Sequence, residues 1–280
     1  MEILNFKTNK ICFNFKCMLK LISMRKDELI KIKNLANYGN KEAINTLYDF
    51  YCDNEEYEKG FLLLKAQEKY LDNEALRKLA YAYLHGFGVE HSINEAKKYY
   101  QIAYENGDPV SGYNLALLLM KQKDYLNAIS YLSYGVYQNH LRSISLLAEI
   151  YANGLGVDRN SEIAIGLYRK LLDNGDYLIN DKIGKIYYQD GDYVEAVKYF
   201  TNGAKKLDPE ALYHLGICYS KGQGLPMDTS KAIYYYELGA AQNHTKCIKN
   251  LIFHYEKGVG VMINTRKVEI YKNKLAVIQG

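Results

Sequence analysis

Between Glu74 and Pro109, apolar residues fall at helical spacing in two runs separated by a glycine turn. Ala75, Leu79, Ala80 and Tyr83 follow one another at steps of four, one and three, which is one face of a helix. His85 to Val89 breaks that run. Gly86 and Gly88 can adopt φ > 0 without steric cost, so the chain can reverse within a few residues. Ser92 with Glu95 three residues later predicts a capping box at the start of a second helix. Ala96, Tyr99, Tyr100 and Ala103 give that helix its apolar face. Gly107 ends it, Asp108 caps the next helix and Pro109 suits its first turn.

The same pattern recurs down the chain. The slot of Leu79 is held in turn by Leu47, Leu79, Leu115, Leu147, Ile183, Leu215 and Leu251, in steps of 32 or 36, with Phe15 a weaker earlier copy. Four residues on stand Leu19, Tyr51, Tyr83, Leu119, Tyr151, Tyr187, Tyr219 and Tyr255. A small-residue slot in the second helix holds Gly60, Ala96, Ala128, Ala164, Ala196 and Ala232, with Val268 last. Leucine slot to small slot is 17 residues in long units and 13 in short ones, and the four extra residues are the glycine turn at 85–89, 153–157, 221–225 or 257–261. A helical hairpin tolerates such an insertion at its bend.

Cap residues keep the same register. Ser92, Asp124, Asn160, Asp192, Asp228 and Asn264 precede the second helices. Asn40, Asp72, Asp108, Asp176 and Asp208 precede the first, with His140 and His244 as exceptions. Pro109 and Pro209 open first helices and Pro226 lies in a glycine turn, so none of the three prolines interrupts a predicted helix. A hairpin this short cannot bury its apolar face alone, whereas stacked neighbours can. The predicted fold is therefore all-α: a right-handed α-solenoid, or α-α superhelix, of stacked antiparallel helix hairpins in alternating 32- and 36-residue units. Residues 41–280 read as one array of about seven units. Residues 1–40 read as a degenerate first unit (Phe15 and Leu19, then Ile32, Leu35 and Gly39) or as a basic N-terminal segment.

The recurring pattern Leu-(Gly/Ala)-x-x-Tyr-x-x-Gly-x-Gly-(Val/Leu), then Ala-x-x-(Tyr/Leu)-Tyr and Gly, resembles the Sel-one-like repeat, a close relative of the tetratricopeptide repeat. LAYAYLHGFGV at 79–89 and LGICYSKGQGL at 215–225 carry it most fully, and short units such as 191–209 look more like tetratricopeptide units. The resemblance covers about residues 42–280. It implies an α-solenoid that scaffolds protein–protein contacts. The family's cysteine-rich secreted members pair two cysteines in each unit. Cys218 and Cys247 lie in different units, so the chain departs from that branch.

Charge is uneven. Residues 1–33 hold eight Lys or Arg and three acids, a net +5, which leaves −1 for the rest of a chain whose total is +4. A near-neutral array carries no nucleic-acid footprint. Residues 1–22 alternate apolar and basic residues, with Lys16 and Lys20 breaking any apolar core. They are read as neither a signal peptide nor a membrane span, and any membrane contact is expected only through them, as a basic amphipathic helix. Five cysteines without metal or redox spacing fit a reducing cytoplasm.

Candidate chemistry is sparse. His214 and Cys218 stand at i, i+4, a metal-ligand spacing, but no second pair completes a set and both flank core slots. Ser23 and Lys26 make a Ser-x-x-Lys pattern without companion motifs. The glycine turns follow helices, not strands, and lack the Lys-Ser/Thr of a phosphate loop. No cofactor, no metal site and no catalytic residue is expected, and the chain is read as not an enzyme. In the related tetratricopeptide family the concave wall comes from helix one. The resemblance places on it Arg77, Tyr81, His85, Tyr113, Lys121, Arg142, Glu149, Asp181, Lys185, Tyr213, Lys221, Lys249 and Phe253. The expected function is a scaffold or adaptor holding a protein or peptide partner in that groove. The alternatives are a hydrolase of the kind suggested for cysteine-rich relatives, or a membrane-surface adaptor tethered by residues 1–22. Partner identity and oligomeric state are not encoded in any pattern found.

Overall fold

A computed structural model describes residues 26–279; Phe15, Leu19 and the rest of 1–22 lie outside them. Among the described residues there are fifteen α-helices, one 3-10 turn and no strand: α1 Lys26–Asn37, α2 Lys41–Asp53, α3 Tyr57–Ala66, α4 Asn73–His85, α5 Ile93–Glu105, α6 Pro109–Lys121, α7 Tyr125–Tyr137, α8 Leu141–Asn153, α9 Ser161–Asp173, α10 Ile179–Gln189, α11 Tyr193–Lys205, α12 Pro209–Lys221, α13 Thr229–Ala241, α14 Thr245–Lys257 and α15 Thr265–Gln279. The fold is an all-α helical repeat. The chain divides into two compact units, Met1–Gln122 and Lys123–Gly280. In the first, α2, α4 and α6 are first helices of the repeat and α1, α3 and α5 second helices. In the second unit, α8, α10, α12 and α14 are first helices and α7, α9, α11, α13 and α15 second helices.

The register slots are the core. Leu79, Ile183 and Leu251 are fully buried, and Leu47, Leu115, Leu147 and Leu215 nearly so. Each small slot from Ala96 to Ala232 is buried with no exposure at all. Cutting one such leucine to alanine removes about 2–5 kcal/mol, so within each unit these slots form its hydrophobic seam. Beside it runs a second recurring contact, in which the tyrosine four residues after the leucine slot stacks on a tyrosine of helix two. Tyr83–Tyr99, Tyr187–Tyr199 and Tyr219–Tyr235 have ring centroids 5.7, 5.6 and 5.5 Å apart and nearly parallel planes.

Caps form where the spacing expects them. Asp72 accepts from the Ala75 N–H, Asp108 from Ser111, Asn160 from Ile163 and Asp228 from Lys231. Three details differ. Ser92 accepts from the Glu95 N–H, but its own N–H donates to Tyr83 O, so the capping box is half formed. Asp176 accepts from the Leu178 N–H, two residues on, and this Asx turn delays α10 to Ile179. His140 and His244 occupy the N-cap without capping the backbone. Their Nδ1 atoms face Ser143 Oγ at 2.8 Å and Cys247 Sγ at 3.1 Å.

The glycine turns do more than lengthen a bend. Their first glycine is the left-handed C-cap of helix one, as at Gly86 and Gly222. The second lies against the start of the preceding helix two. A Cβ on Gly88 would meet Tyr57 O at 2.3 Å, and one on Gly224 would meet Tyr193 O at 2.2 Å. The turn is thus a contact between consecutive hairpins.

Candidate functional site

The groove expectation places its residues on first helices, and there each unit can be followed slot by slot. In the Met1–Gln122 unit, Arg77 is half-buried, and its Nη1 donates to Asp108 Oδ1 at 2.7 Å, tying α4 to the cap of α6. One residue on, Lys78 reaches Asp49 and Glu74, both at 2.8 Å. Burial raises the Asp49 carboxyl above its ordinary value although Lys78 opposes it, and burial raises Asp53 too. Tyr81 is half-buried with its ring 4.2 Å from that of exposed His85. Phe87 and Tyr57 extend this group, stacked at 5.0 Å. Burial, then the nearby Lys121 charge, lowers the His85 imidazole. Tyr113 is half-buried and Lys121 exposed.

In the Lys123–Gly280 unit, Arg142 is exposed on α8, and Glu149 Oε1 accepts from Lys182 Nζ of α10 at 2.5 Å. A denser network joins α10, α12 and α14. Asp181, only 4% exposed, receives Lys185 Nζ at 2.7 Å and His214 Nδ1 at 2.8 Å. His214 Nδ1 also faces Glu210 O at 2.9 Å, so this nitrogen carries a proton and donates. Glu210 gathers Lys246 at 3.1 Å, His244 Nε2 at 3.2 Å and Lys185 at 3.7 Å. Burial would raise Glu210, but the hydrogen bonds from His244 and Lys246 prevail and hold it down at about 2. Burial would likewise raise Asp181, and His214 and Lys185 lower it instead. Tyr213 is half-buried, with its ring 5.5 Å from that of His244 and under the Lys246 ammonium. Lys221, Lys249 and Phe253 are exposed.

Two of the expected pairs are therefore brought together, Tyr81 with His85 and Asp181 with Lys185. Arg77 and Glu149 serve to bridge hairpins. Sequence reasoning missed the partners Glu210, His214, His244 and Lys246. A signal was present: a residue one or two before the leucine slot meets the preceding or following first helix, as in Asn45–Asp72, Arg77–Asp108, Lys182–Glu149 and His214–Asp181. The oxygen and nitrogen donors of Asp181, Glu210 and His214 lie within 4.8 Å of one another, a metal-like arrangement. The Lys185 ammonium already sits between the two carboxylates, and the His214 nitrogen is used as a donor. The cluster balances its own charge and acts as a clasp between hairpins. Burial pushes the Cys218 thiol up to about 11 and that of Cys247 to about 12, the reverse of what a nucleophile needs. Among the described residues no helix is long and apolar enough to cross a membrane.

Comparison with known proteins rests on the same hairpins. A model of the Sel1 repeat matches residues 73–108, 142–176 and 209–244, three of the four units with a glycine turn. An uncharacterized protein of Rickettsia conorii is 31% identical over 94 residues, which are 34% of this chain and 90% of that protein. A sel1-like repeat-containing protein of Acanthamoeba polyphaga mimivirus is 29% identical over 137 residues, which are 49% of this chain and 25% of that protein. The chain thus spans about a quarter of the length of the mimivirus relative. Among crystal structures, a Sel1 repeat protein from Oxalobacter formigenes aligns with a TM-score of 0.62 at 27% identity, covering 82% of this chain and 95% of that one. A protective antigen present in uropathogenic Escherichia coli strains, displaying an SLR fold, aligns with a TM-score of 0.69 at 20% identity, covering 90% of this chain and 59% of that one. The second likeness speaks for the fold alone. From register, hairpin geometry and these matches together, the chain belongs to the Sel1-repeat family, whose units are relatives of the tetratricopeptide repeat.

Proposed function

We propose that this chain is a scaffold or adaptor that holds a protein or peptide partner on the face formed by its first helices, in the cytoplasm, without catalysis, cofactor or nucleic acid. Sel1-repeat proteins generally act as non-catalytic scaffolds for protein contacts. The repeat register runs through residues 41–280, and the proposal treats them as one array. The observation that carries the reading is the division of labour along helix one. Several side chains next to the leucine slot are spent on hairpin-to-hairpin bonds, while His85, Lys121, Arg142 and Lys221 at the outer slots, and Lys249 and Phe253 beside Leu251, are exposed. Aromatic and Arg side chains, here Phe253 and Arg142, are types enriched at interfaces. Raised thiols and carboxylate-bound imidazoles leave no activated nucleophile in this face, which supports a binding role.

The test is affinity capture with two variants, Tyr81→Ala with Tyr213→Ala, and Phe253→Ala alone. The expected result is loss of the captured partner with helicity and melting unchanged for Phe253→Ala. Undiminished capture by both variants contradicts the assignment of the face.

A further inference from the structure

Every acid at the outer slots of α8, α10, α12 and α14 is matched by a base. Glu149 is held by Lys182, Asp181 by Lys185 and His214, Glu210 by Lys246 and His244, and Glu256 by Lys272 of α15. The bases are in excess. Arg142, Lys221, Lys249 and Lys257 are exposed, and no ion pair ties them among the described residues. The exposed Phe253 ring lies in the same array, one turn beyond Lys249 on α14.

We propose that the α8–α14 first-helix face takes an acidic, extended peptide segment, whose carboxylates meet Arg142, Lys221, Lys249 and Lys257 and one of whose apolar side chains packs on Phe253. The proposal rests on the adaptor reading and adds the chemistry of its partner. Four first helices at about 10 Å spacing span roughly 30 Å, the reach of about nine extended residues at ~3.3 Å each. The cations of this face are spread over three helices, Arg142 on α8, Lys221 on α12 and Lys249 with Lys257 on α14, so a helical partner with its charges on one stripe matches them less well than an extended chain. Their separation and exposure make the attraction long-ranged, sensitive to salt and strongest in the encounter step. The face is too short of aromatic platforms for nucleic acid: among the described residues of its first helices Phe253 is the exposed aromatic ring, Tyr213 is covered by Lys246 and Tyr188 is half-buried and bonded to Gln223.

The experiment is fluorescence anisotropy on the full chain with a labelled probe of about nine residues, rich in Glu and carrying one central Phe. The same peptide with Gln for Glu, and a single-stranded oligonucleotide of equal charge, are run beside it. The acidic probe is expected to bind, to weaken at least about tenfold between roughly 0.05 and 0.5 M salt, and to weaken about tenfold or more in a Arg142→Glu, Lys221→Glu, Lys249→Glu variant. Helicity of that variant is measured alongside, and single Lys221→Gln and Lys249→Gln variants, which remove the charge and keep a polar side chain, are expected to weaken the probe about twofold each. Equal binding of the Gln peptide, no response to charge reversal, or tighter binding of the oligonucleotide each overturns the proposal. A partner lost with the tyrosine pair but indifferent to charge reversal leaves the adaptor reading standing and refutes the acidic chemistry.

Discussion

The two compact units are built from one hairpin and differ in the charge of their first helices: α2, α4 and α6 balance four acids with four bases, whereas α8, α10, α12 and α14 carry seven bases against four acids. In the N-terminal unit, α2 presents Glu42, Asp49 and Asp53, all exposed, and α4 adds Glu74. In the C-terminal unit, Arg142, Lys221, Lys249 and Lys257 stand in comparable outer slots. Leucine and alanine slots are buried alike in both, and a glycine turn lies against the previous helix two in both. The difference teaches that packing dictates the inner slots and leaves the outer ones free to differ in charge. The same contrast reaches the titrating groups. Asp49 and Asp53 sit in surroundings that resist their ionisation, whereas Asp181 and Glu210 sit in surroundings that favour it.

The largest effect should fall on the shared frame. Gly88 has φ +69 and Gly224 φ +74, and each faces a backbone carbonyl. Alanine at either one combines left-handed strain with a backbone clash and should remove at least ~3 kcal/mol from the unit that contains it. Gly175→Ala has φ +88 but open space around it, and should cost about 1 kcal/mol. Local unfolding free energies from hydrogen exchange check both numbers. If one unit tolerated the substitution, the two would not share a frame.

Next comes the clasp. Glu210→Gln breaks the bonds from His244 and Lys246 and should destabilise the C-terminal unit by roughly 1–2 kcal/mol at neutral pH, a figure kept low because Glu210 is partly open to screening solvent. The pH dependence sharpens the comparison. The folded value of Glu210 is about 2, below the ordinary 4.5, so its stabilisation is complete above about pH 4.5 and is lost as pH falls toward 2. Asp49 and Asp53 lie above the ordinary 3.8, so their ionisation opposes folding as pH rises through that range and acid relieves it. Acidification from pH 5 should therefore loosen the α10, α12 and α14 network before α2. Exchange protection of α12 and α14 against that of α2 and α4, followed with pH, reads this directly. A common loss in both units would erase the contrast.

The smallest effect concerns the acidic face. Asp53→Asn should stabilise the N-terminal unit by only about 0.3 kcal/mol, since exposed charges interact weakly. A melting shift larger than a few degrees would mean that the acids of α2 are more strongly coupled than their exposure implies.

Local features of this fold were legible in the sequence, and features that cross between hairpins were not. Asp72 to Ala75 or Asp108 to Ser111 is a contact three residues long, so the cap residue announces it. Leu79 and Ala96 announce burial through spacing alone. Arg77–Asp108 and His214–Asp181 span about one repeat, and nothing in either helix taken singly marks the side chain as spoken for. The same holds for Gly88 against Tyr57. A glycine in a turn reads as bend geometry, while its packing role exists only once the previous hairpin is in place. His244 broke the cap pattern in the sequence, and it holds the N-cap position while its ring belongs to the Glu210 network. Asp176 was read as a cap and forms an Asx turn, because its carboxylate accepts from two residues on instead of three.

In the proposed arrangement first helices turn their outer slots toward a partner while second helices and the leucine slots hold the hairpins of each unit together. Hydrogen-exchange mass spectrometry of the full chain, with and without the acidic probe, tests that most directly. Slowed exchange confined to α8, α10, α12 and α14 is the predicted result. Slowing concentrated on the second helices α9, α11 and α13, or on α2 and α4 of the N-terminal unit, would contradict it.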